Sequence, residues 1–386
     1  MNIIRSRGKS SNFAGTVIAV DQNKQTVTFC TAAEGGSALI TSSADIDFSS
    51  CDKEFFEKLA EIAAERIVKN TEAGAPKVSL ILPDGIFLLD TVNIPVIHRK
   101  AMQQSLSLAI EAVYNNAADL SLMTYAIQQN KDAATFGLVG IRREILDFAN
   151  NAFDSVGLPI SRITYAASAM SNGAMTLNGK LKNDTFLLLD IKEGVSRFAF
   201  VVRGCTMGYY ELPFGHEIMH RTRVVSEDAL FDNRAGTLLV LNSKERARAK
   251  HLTDIDEIFA NGEGSDSDAS AEEASRSGKR LRQFIQRPEP RSEEECVYEN
   301  FRIFLKWALE LINNNRDILS LAKLDTVYIN MPDEYKFLFD IVNQKHSGRA
   351  IAFAPLISGG VDASITENLE LYGGFFMDSL NEANTF

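Results

Sequence analysis

The chain has 386 residues, 45% of them hydrophobic and 24% charged, with a formal net charge of −11. That is a soluble globular composition with room for two ordinary domains, too acidic for general nucleic-acid binding and without the roughly 20-residue apolar run that crosses a bilayer. Cys30, Cys51, Cys205 and Cys296 have no CxxC spacing, so neither a zinc ribbon nor a disulfide framework is indicated and the thiols read as reduced packing residues.

In chain order, the first signal is a hairpin: Thr16 to Asp21, a turn through Gln22 to Gln25, and a return along Thr26 to Phe29. Ser37 to Thr41 adds a third strand, and Asp52 to Lys69 predicts a helix with one apolar stripe, Phe55, Phe56, Leu59, Ile62, Ala63, Ile67 and Val68. Lys77 to Leu82 reads as a buried strand stopped by the turn residues Pro83-Asp84-Gly85. A strand over Ile86 to Ile94, a helix over His98 to Tyr114, strands over Leu120 to Gln128 and Thr135 to Ile141, and a helix over Arg142 to Val156 follow. Together they make a small α+β subdomain set between two halves.

The second half opens as the first does. Ser161 to Tyr165 and a helix over Ala167 to Leu177 lead to Phe186 to Asp190, a turn through Ile191 to Gly194, a return along Ser196 to Val202, and a third strand over Met207 to Leu212. Each half thus starts with a three-stranded antiparallel meander whose first strand ends in an acid, Asp21 or Asp190, which is the mark of a duplication. The resulting division is 1–82, an inserted 83–160, and 161–386.

Asn261 to Glu295 is rich in Gly, Ser, Asp and Glu and then in Arg and Lys, a composition that cannot bury enough apolar area to offset chain entropy and reads as a disordered loop. The alternative is that Lys279 to Arg287, with Leu281, Phe284 and Ile285 among its cations, docks on a partner or on acidic lipid. Helix 297–313, strand 325–330 and helix 333–342 complete the chain. The first nine residues lack the apolar run of a signal peptide, so the expected location is the cytoplasm.

A hairpin with an acid at the strand end, once per half, is how actin-like ATPases hold metal and phosphates between related domains. Val78 to Asp84 with Phe87 to Pro95, then Leu138 to Ile145, Phe153 to Leu158, Leu189-Asp190 and Glu211 to Gly215, and more weakly Leu371 to Phe376, resemble the PilM family of type IV pilus assembly proteins, relatives of FtsA. The resemblance spans nearly the whole chain in loose apolar patterns. It implies an α/β fold of duplicated actin-like (ribonuclease H-like) domains with an inserted subdomain. It further implies a scaffold, peripheral to the inner membrane, that grips the N-terminal cytoplasmic segment of a membrane-anchored pilus or secretion protein, with self-association left open.

Under that resemblance the nucleotide-facing residues would be Asp21, Thr26, Asp190, Gly194 and Ser196, around ATP with magnesium. Three departures point to a degenerate cleft and no cofactor. Gln22-Asn23-Lys24-Gln25 has no glycine for a phosphate cradle, Lys192-Glu193 precedes the lone Gly194, and Asn330-Met331-Pro332-Asp333 puts bulk and proline where an adenine ring would lie. Partner binding is expected in the inserted subdomain, where Val92 and Ile94 would line an edge or groove. An FtsA-type polymerising ATPase is the alternative, although Asp378 to Phe386 is short and polar for a membrane anchor.

A third reading comes from His216-Glu217-Ile218-Met219-His220, which fits the H-E-x-x-H pattern of a zinc hydrolase. Pro213 and Gly215 lie directly before it, and a third ligand would have to come from a distant residue such as Glu245. A solvated helix start is the plainer account. Asp21 and Asp190 likewise have a plain reading, as residues that cap turns at strand ends.

Overall fold

The structure is a computed structural model that describes residues 15–32, 38–67, 78–96, 99–114, 117–129, 132–221, 292–315, 324–345, 350–357 and 360–376. The opening hairpin forms as β1 (Thr16–Asp21) and β2 (Thr26–Ala32), and the third strand is β3 (Leu39–Asp45), somewhat later in the chain than Ser37 to Thr41. α1 (Lys53–Ile67) and β4 (Val78–Leu82) follow. The inserted segment supplies β5 (Leu88–Pro95), α2 (Arg99–Val113), β6 (Leu120–Gln129) and β7 (Ala133–Arg142). α3 (Arg143–Ser155), β8 (Ile160–Tyr165) and α4 (Ala166–Leu177) then return to the first half. The second half runs β9 (Thr185–Ile191), β10 (Ser196–Val202), β11 (Cys205–Leu212), α5 (Glu293–Asn314), β12 (Thr326–Asn330), α6 (Phe337–Lys345) and β13 (Ala352–Pro355). It closes with α7 (Ala363–Glu367) and α8 (Leu369–Phe375).

Two five-stranded sheets result, ordered β3-β2-β1-β4-β8 and β11-β10-β9-β12-β13, together with a three-stranded sheet β5-β7-β6. In both large sheets the first three strands form an antiparallel meander and the last two join in parallel. Identical order and direction in the two sheets is the duplication that the repeated hairpin predicted. The central strands read as unbroken apolar runs because both of their faces are covered: Phe186, Leu187, Leu188 and Leu189 are all fully buried. The repeat also reaches beyond the meanders. β4 and β12 each run into a proline and an aspartate that open a 3₁₀ turn, Pro83-Asp84 and Pro332-Asp333, with the prolines at φ/ψ of −56/140 and −54/145.

On the outer face of the first sheet, Phe55, Phe56, Leu59 and Ala63 of α1 pack with Ile18, Val20 and Leu80. α3, expected as the last element of the inserted subdomain, joins the same core through Ile145, Ala149, Ala152 and Phe153. Fully burying a phenylalanine such as Phe56 or Phe153 stabilises the fold by roughly 1.5–3 kcal/mol relative to exposure. On the second sheet the outer helix is α5. Its first turn is specified locally: the Ser292 hydroxyl accepts from the Glu295 N–H at 3.2 Å, and Glu293, Glu294 and Glu295 sit at the positive end of the helix dipole. The expected disordered loop over Asn261 to Glu295 therefore overlaps this helix start at 292–295, while 261–291, with the basic Lys279 to Arg287 stretch, lies outside the described residues.

α4 and α8 are the elements that join the halves, and they do so reciprocally. α4 follows the first sheet but places Ala167, Met170, Ala174 and Met175 in the core of the second. α8 follows the second sheet and places Leu371 and Tyr372 against Val17, Cys30 and Ile81 of the first. Among the described residues no helix is long and apolar enough to cross a membrane.

Candidate functional site

The site lies where the ends of β9 and β12 meet α8 and the turn after β4. In the second sheet the parallel ladder sets Asp190 opposite Asn330, two residues before the Pro332-Asp333 pair. The corresponding place in the first sheet, opposite Ile81 and two residues before Pro83-Asp84, is taken by Ala19 and not by Asp21. The two acids of the repeated hairpin are therefore not positional equivalents. Asp21 stands two residues farther along, at the tip of its strand.

That offset gives the two acids different surroundings. Asp21 is half-exposed, and its Oδ1 accepts from the backbone N–H of Asn23 at 3.0 Å and of Lys24 at 3.1 Å, so it caps its own turn. Asp190 is 1% exposed. Its Oδ1 accepts from Asn330 Nδ2 at 2.7 Å, and its Oδ2 has no hydrogen-bond donor but lies 3.7 Å from Lys192 Nζ. Asn330 Nδ2 also donates to the Thr366 carbonyl at 2.7 Å, which fixes the amide between strand end and loop.

Lys192 is the centre of a larger charged network. Its ammonium also pairs with Glu370 in the first turn of α8. Arg197 on β10 donates through Nε to Glu211 at 2.8 Å, with its Nη1 4.0 Å from Glu370. Asn23, in the first turn, reaches across the halves and donates to Glu211 Oε1 at 2.5 Å. Asp84 completes the set from the first half, accepting from the N–H of Ala167 at 2.9 Å. Neither the cations nor these acids form a local pattern in sequence; the spatial fold alone assembles them.

Burial dominates the electrostatics. It pushes the Asp84 carboxyl up to about 6, against the attraction of Arg197. It also raises Asp190, although Lys192 pulls the other way. Glu370 feels the same burial, but Lys192 and Arg197 together outweigh it and hold its carboxyl below the usual range. For Arg197 burial opposes the charge, and the surrounding Glu211, Glu370 and Asp84 more than reverse that.

The remaining nucleotide-facing candidates are engaged with the protein itself. Thr26 is half-buried and closes the first hairpin opposite Asp21. Ser196 is fully buried, and its hydroxyl donates to the Phe214 carbonyl at 2.9 Å. Gly194 has a φ of 74°, the left-handed conformation that suits glycine, and its N–H donates to Glu217 Oε2 at 2.7 Å. At the segment expected to lie against adenine, Asn330, Met331, Asp333, Lys336, Pro355 and Thr366 border a solvent-open depression.

Among the described residues the H-E-x-x-H segment does not assemble a metal site. His216 to Ile218 is one turn of 3₁₀ helix, so the two imidazoles lack the α-helical i, i+4 register. Their ring centroids are 6.2 Å apart and nearly perpendicular, His220 Nε2 lies 2.5 Å from the Tyr335 hydroxyl, and Glu217 is held by the N–H groups of Gly194 and Gly215. Among the described residues no group of three or more metal-ligating side chains converges, and Glu245 lies outside them.

Val92 and Ile94 are 6% and 2% exposed and pack with Met102, Ile110, Phe136 and Leu138 in the core of the inserted subdomain. Their side chains are covered by α2 and line no groove. β5 pairs with β7 on one side only among the described strands, so its other edge carries the open backbone groups.

No protein-family model matches the chain, and no curated protein does. Solved structures do. A chain of the PilM–PilN type IV pilus biogenesis complex aligns over 94% of this chain and 98% of its own, at 12% identity and a TM-score of 0.52. The cytoplasmic domain of EpsL, an inner-membrane component of the type II secretion system of Vibrio cholerae, aligns over 55% of this chain and 77% of its own, at 12% identity and a TM-score of 0.35. A Bacteroides thetaiotaomicron protein of unknown function with an actin-like ATPase fold covers 94% and 98%, at 8% identity and a TM-score of 0.32. The duplicated sheets, the reciprocal helices and the inserted subdomain, together with the PilM alignment, give the chain the actin-like ATPase fold in its PilM-like form.

Proposed function

We propose that the chain is a cytoplasmic actin-like adaptor of a type IV pilus or related secretion machine, peripheral to the inner membrane, whose cleft neither binds nor hydrolyses ATP. The observation that carries the reading is the Lys192 ammonium seated between the Asp190 and Glu370 carboxylates. In an ATPase of this fold the acid at that strand end serves a hydrated metal; here a tethered cation neutralises it. The first turn spends its Asn23 and Lys24 N–H groups on Asp21, and the second spends that of Gly194 on Glu217. Magnesium and phosphates would have to displace each of these internal partners, so the residues present do not fit Mg·ATP.

The likeness in fold to a chain of the PilM–PilN complex supports an assembly role. The partner we propose is a short N-terminal cytoplasmic segment of a membrane-anchored protein, added as a strand to the free edge of β5. Two measurements test the reading. Calorimetric titration of the folded protein with Mg·ATP should give no saturable heat; micromolar binding would reinstate a nucleotide-controlled ATPase. The protein should float with inner-membrane vesicles from its host and lose that association once protease has shaved the vesicles' cytoplasmic face. Undiminished flotation after shaving would replace the protein partner with lipid.

A further inference from the structure

The edges of β8, β6, β13 and β11 are each guarded against strand pairing. β8 and β6 carry bulges at Ser161 and Ile127, β13 has four residues and ends in Pro355, and the Thr206 carbonyl of β11 accepts from both Tyr125 and Tyr165. β3, the outermost strand of the first sheet, has none of these devices. Its pairing with β2 is regular over seven residues, it contains no proline or lysine, and its run Ile40-Thr41-Ser42-Ser43-Ala44 carries no charge. Ile40 is 60% exposed, and Thr41, Ser42 and Ser43 after it are exposed on alternate faces of the strand.

The ladder fixes which backbone groups of β3 face outward. Ile46 N–H donates to the Gln25 carbonyl at 2.9 Å, so Ala44, Ser42 and Ile40 turn their backbone groups toward β2 and the odd-numbered residues turn theirs away. Leu39 follows that alternation: its N–H donates outward, to the Ser364 hydroxyl of α7 at 2.9 Å. Past Asp45 the chain turns inward and buries Ile46 and Phe48. The open edge is therefore the N–H and C=O groups of Thr41, Ser43 and Asp45, which meet no partner among the described residues.

We propose that two copies of the chain pair antiparallel along β3 about a two-fold axis at Ser43, joining their sheets into one. In that register the two Ser43 residues face each other and Thr41 of one copy faces Asp45 of the other, so every open group finds a counterpart. Other registers leave open groups over: an axis at Thr41 would need the Leu39 N–H that Ser364 already holds, and one at Asp45 would set two carboxylates against each other. A foreign peptide on a sheet edge draws specificity from pockets for its alternate side chains. The small exposed side chains of Thr41, Ser42 and Ser43 form no such pocket among the described residues, whereas a second copy brings an edge of equal length with matching groups. So short a contact lies below the size of a stable interface, and the dimer is weak and dissociates on dilution.

Sedimentation velocity of the full chain over a rising concentration series tests this. The wild type should shift reversibly from monomer to dimer. Ser43→Pro removes the N–H at the axis without touching the β2 ladder and should weaken the dimer by about tenfold or more. Ser43→Lys and Ser43→Asp keep the strand but set like charges against each other at the axis. Each alone should be monomeric, and an equimolar mixture of the two should recover the dimer. That rescue also covers a proline variant that fails to fold. A wild type that stays monomeric throughout the series overturns the proposal, as do a dimer that all three substitutions leave unchanged and a mixture that stays monomeric. A monomeric wild type whose Ser43→Lys variant no longer floats with inner-membrane vesicles would assign the edge to the membrane partner and overturn self-pairing.

Discussion

Gly373 on α8 and Gly173 on α4 meet backbone to backbone where the halves cross. A Cβ on Gly373 would lie 1.8 Å from the Ala169 carbonyl oxygen and 2.6 Å from the Gly173 nitrogen, and a Cβ on Gly173 would lie 2.4 Å from the Leu369 carbonyl oxygen. Each helix belongs by chain order to one sheet and packs on the other, so this close approach ties the two cores together. The clash partner is backbone, and no rotamer change relieves it.

Gly373→Ala is accordingly expected to destabilise the protein by about 3 kcal/mol or more, at or beyond the upper end of ordinary overpacking. Gly179→Ala, where an added Cβ meets nothing within 4 Å, should change stability by less than about 0.5 kcal/mol. Urea unfolding of both variants checks the pair, and equal effects would remove the crossing from its central role.

Lys192→Met should cost about 3 kcal/mol, because it leaves the buried Asp190 and Glu370 carboxylates without their shared cation. Adding Asp190→Asn to that variant should recover part of the loss, since the amide is neutral and nearly isosteric. A double-mutant cycle by chemical denaturation measures the coupling; strict additivity would show that the contact carries no energy.

The buried Asp84 carboxyl predicts a pH dependence. Its folded value near 6 stands above an ordinary value of 3.8, so the folded state holds its proton longer than the unfolded chain does. The associated stability is complete below about pH 4, falls as the pH rises, and is gone above about pH 6, a loss of roughly 3 kcal/mol for a shift of about two units. Asp84→Asn still accepts the Ala167 N–H and does not titrate. The unfolding free energy of the variant relative to wild type should therefore rise between pH 4 and 6 and level off above; a difference that stays flat across this range would contradict the burial effect.

Tyr125 on β6 and Tyr165 on β8 both donate to one acceptor, the Thr206 carbonyl on β11, at 2.9 and 3.1 Å. Removing either hydroxyl leaves the other bond, so Tyr125→Phe and Tyr165→Phe should each cost about 1 kcal/mol or less. The double variant deprives the carbonyl of both phenols and should cost more than the sum of the singles. Thermal unfolding of the three variants decides it, and this contact reports directly on how the inserted subdomain and the first half dock on the second.

Much of the architecture was legible because local patterns carried it. β9 is an apolar run because parallel strands are covered on both faces, and α1 shows its stripe because one side alone is buried. β13 escaped because it has four residues and ends in proline, too short for any periodicity. α8 was harder still: Gly373 and Gly374 are poor helix formers, and their presence makes sense only beside the α4 backbone. The side chains of Val92 and Ile94 illustrate the same limit, since an apolar strand reads alike whether a partner or its own helix α2 covers that face.

At the site, sequence alone determined the repeated hairpin, the loss of phosphate-turn glycines and the lone Gly194, because turn chemistry acts over a few neighbouring residues. Whether Asp21 and Asp190 are equivalent was a question of ladder register, which no spacing along the chain reveals: Asp190 is buried opposite Asn330 of β12, and Asp21 stays at its turn. The pairing of Lys192 with Glu370, of Arg197 with Glu211, and of Glu217 with Gly194 joins residues between 14 and 178 positions apart. Only the tertiary structure decides such contacts, since charge attraction and desolvation depend on distance in space and on burial, and neither is written in local sequence.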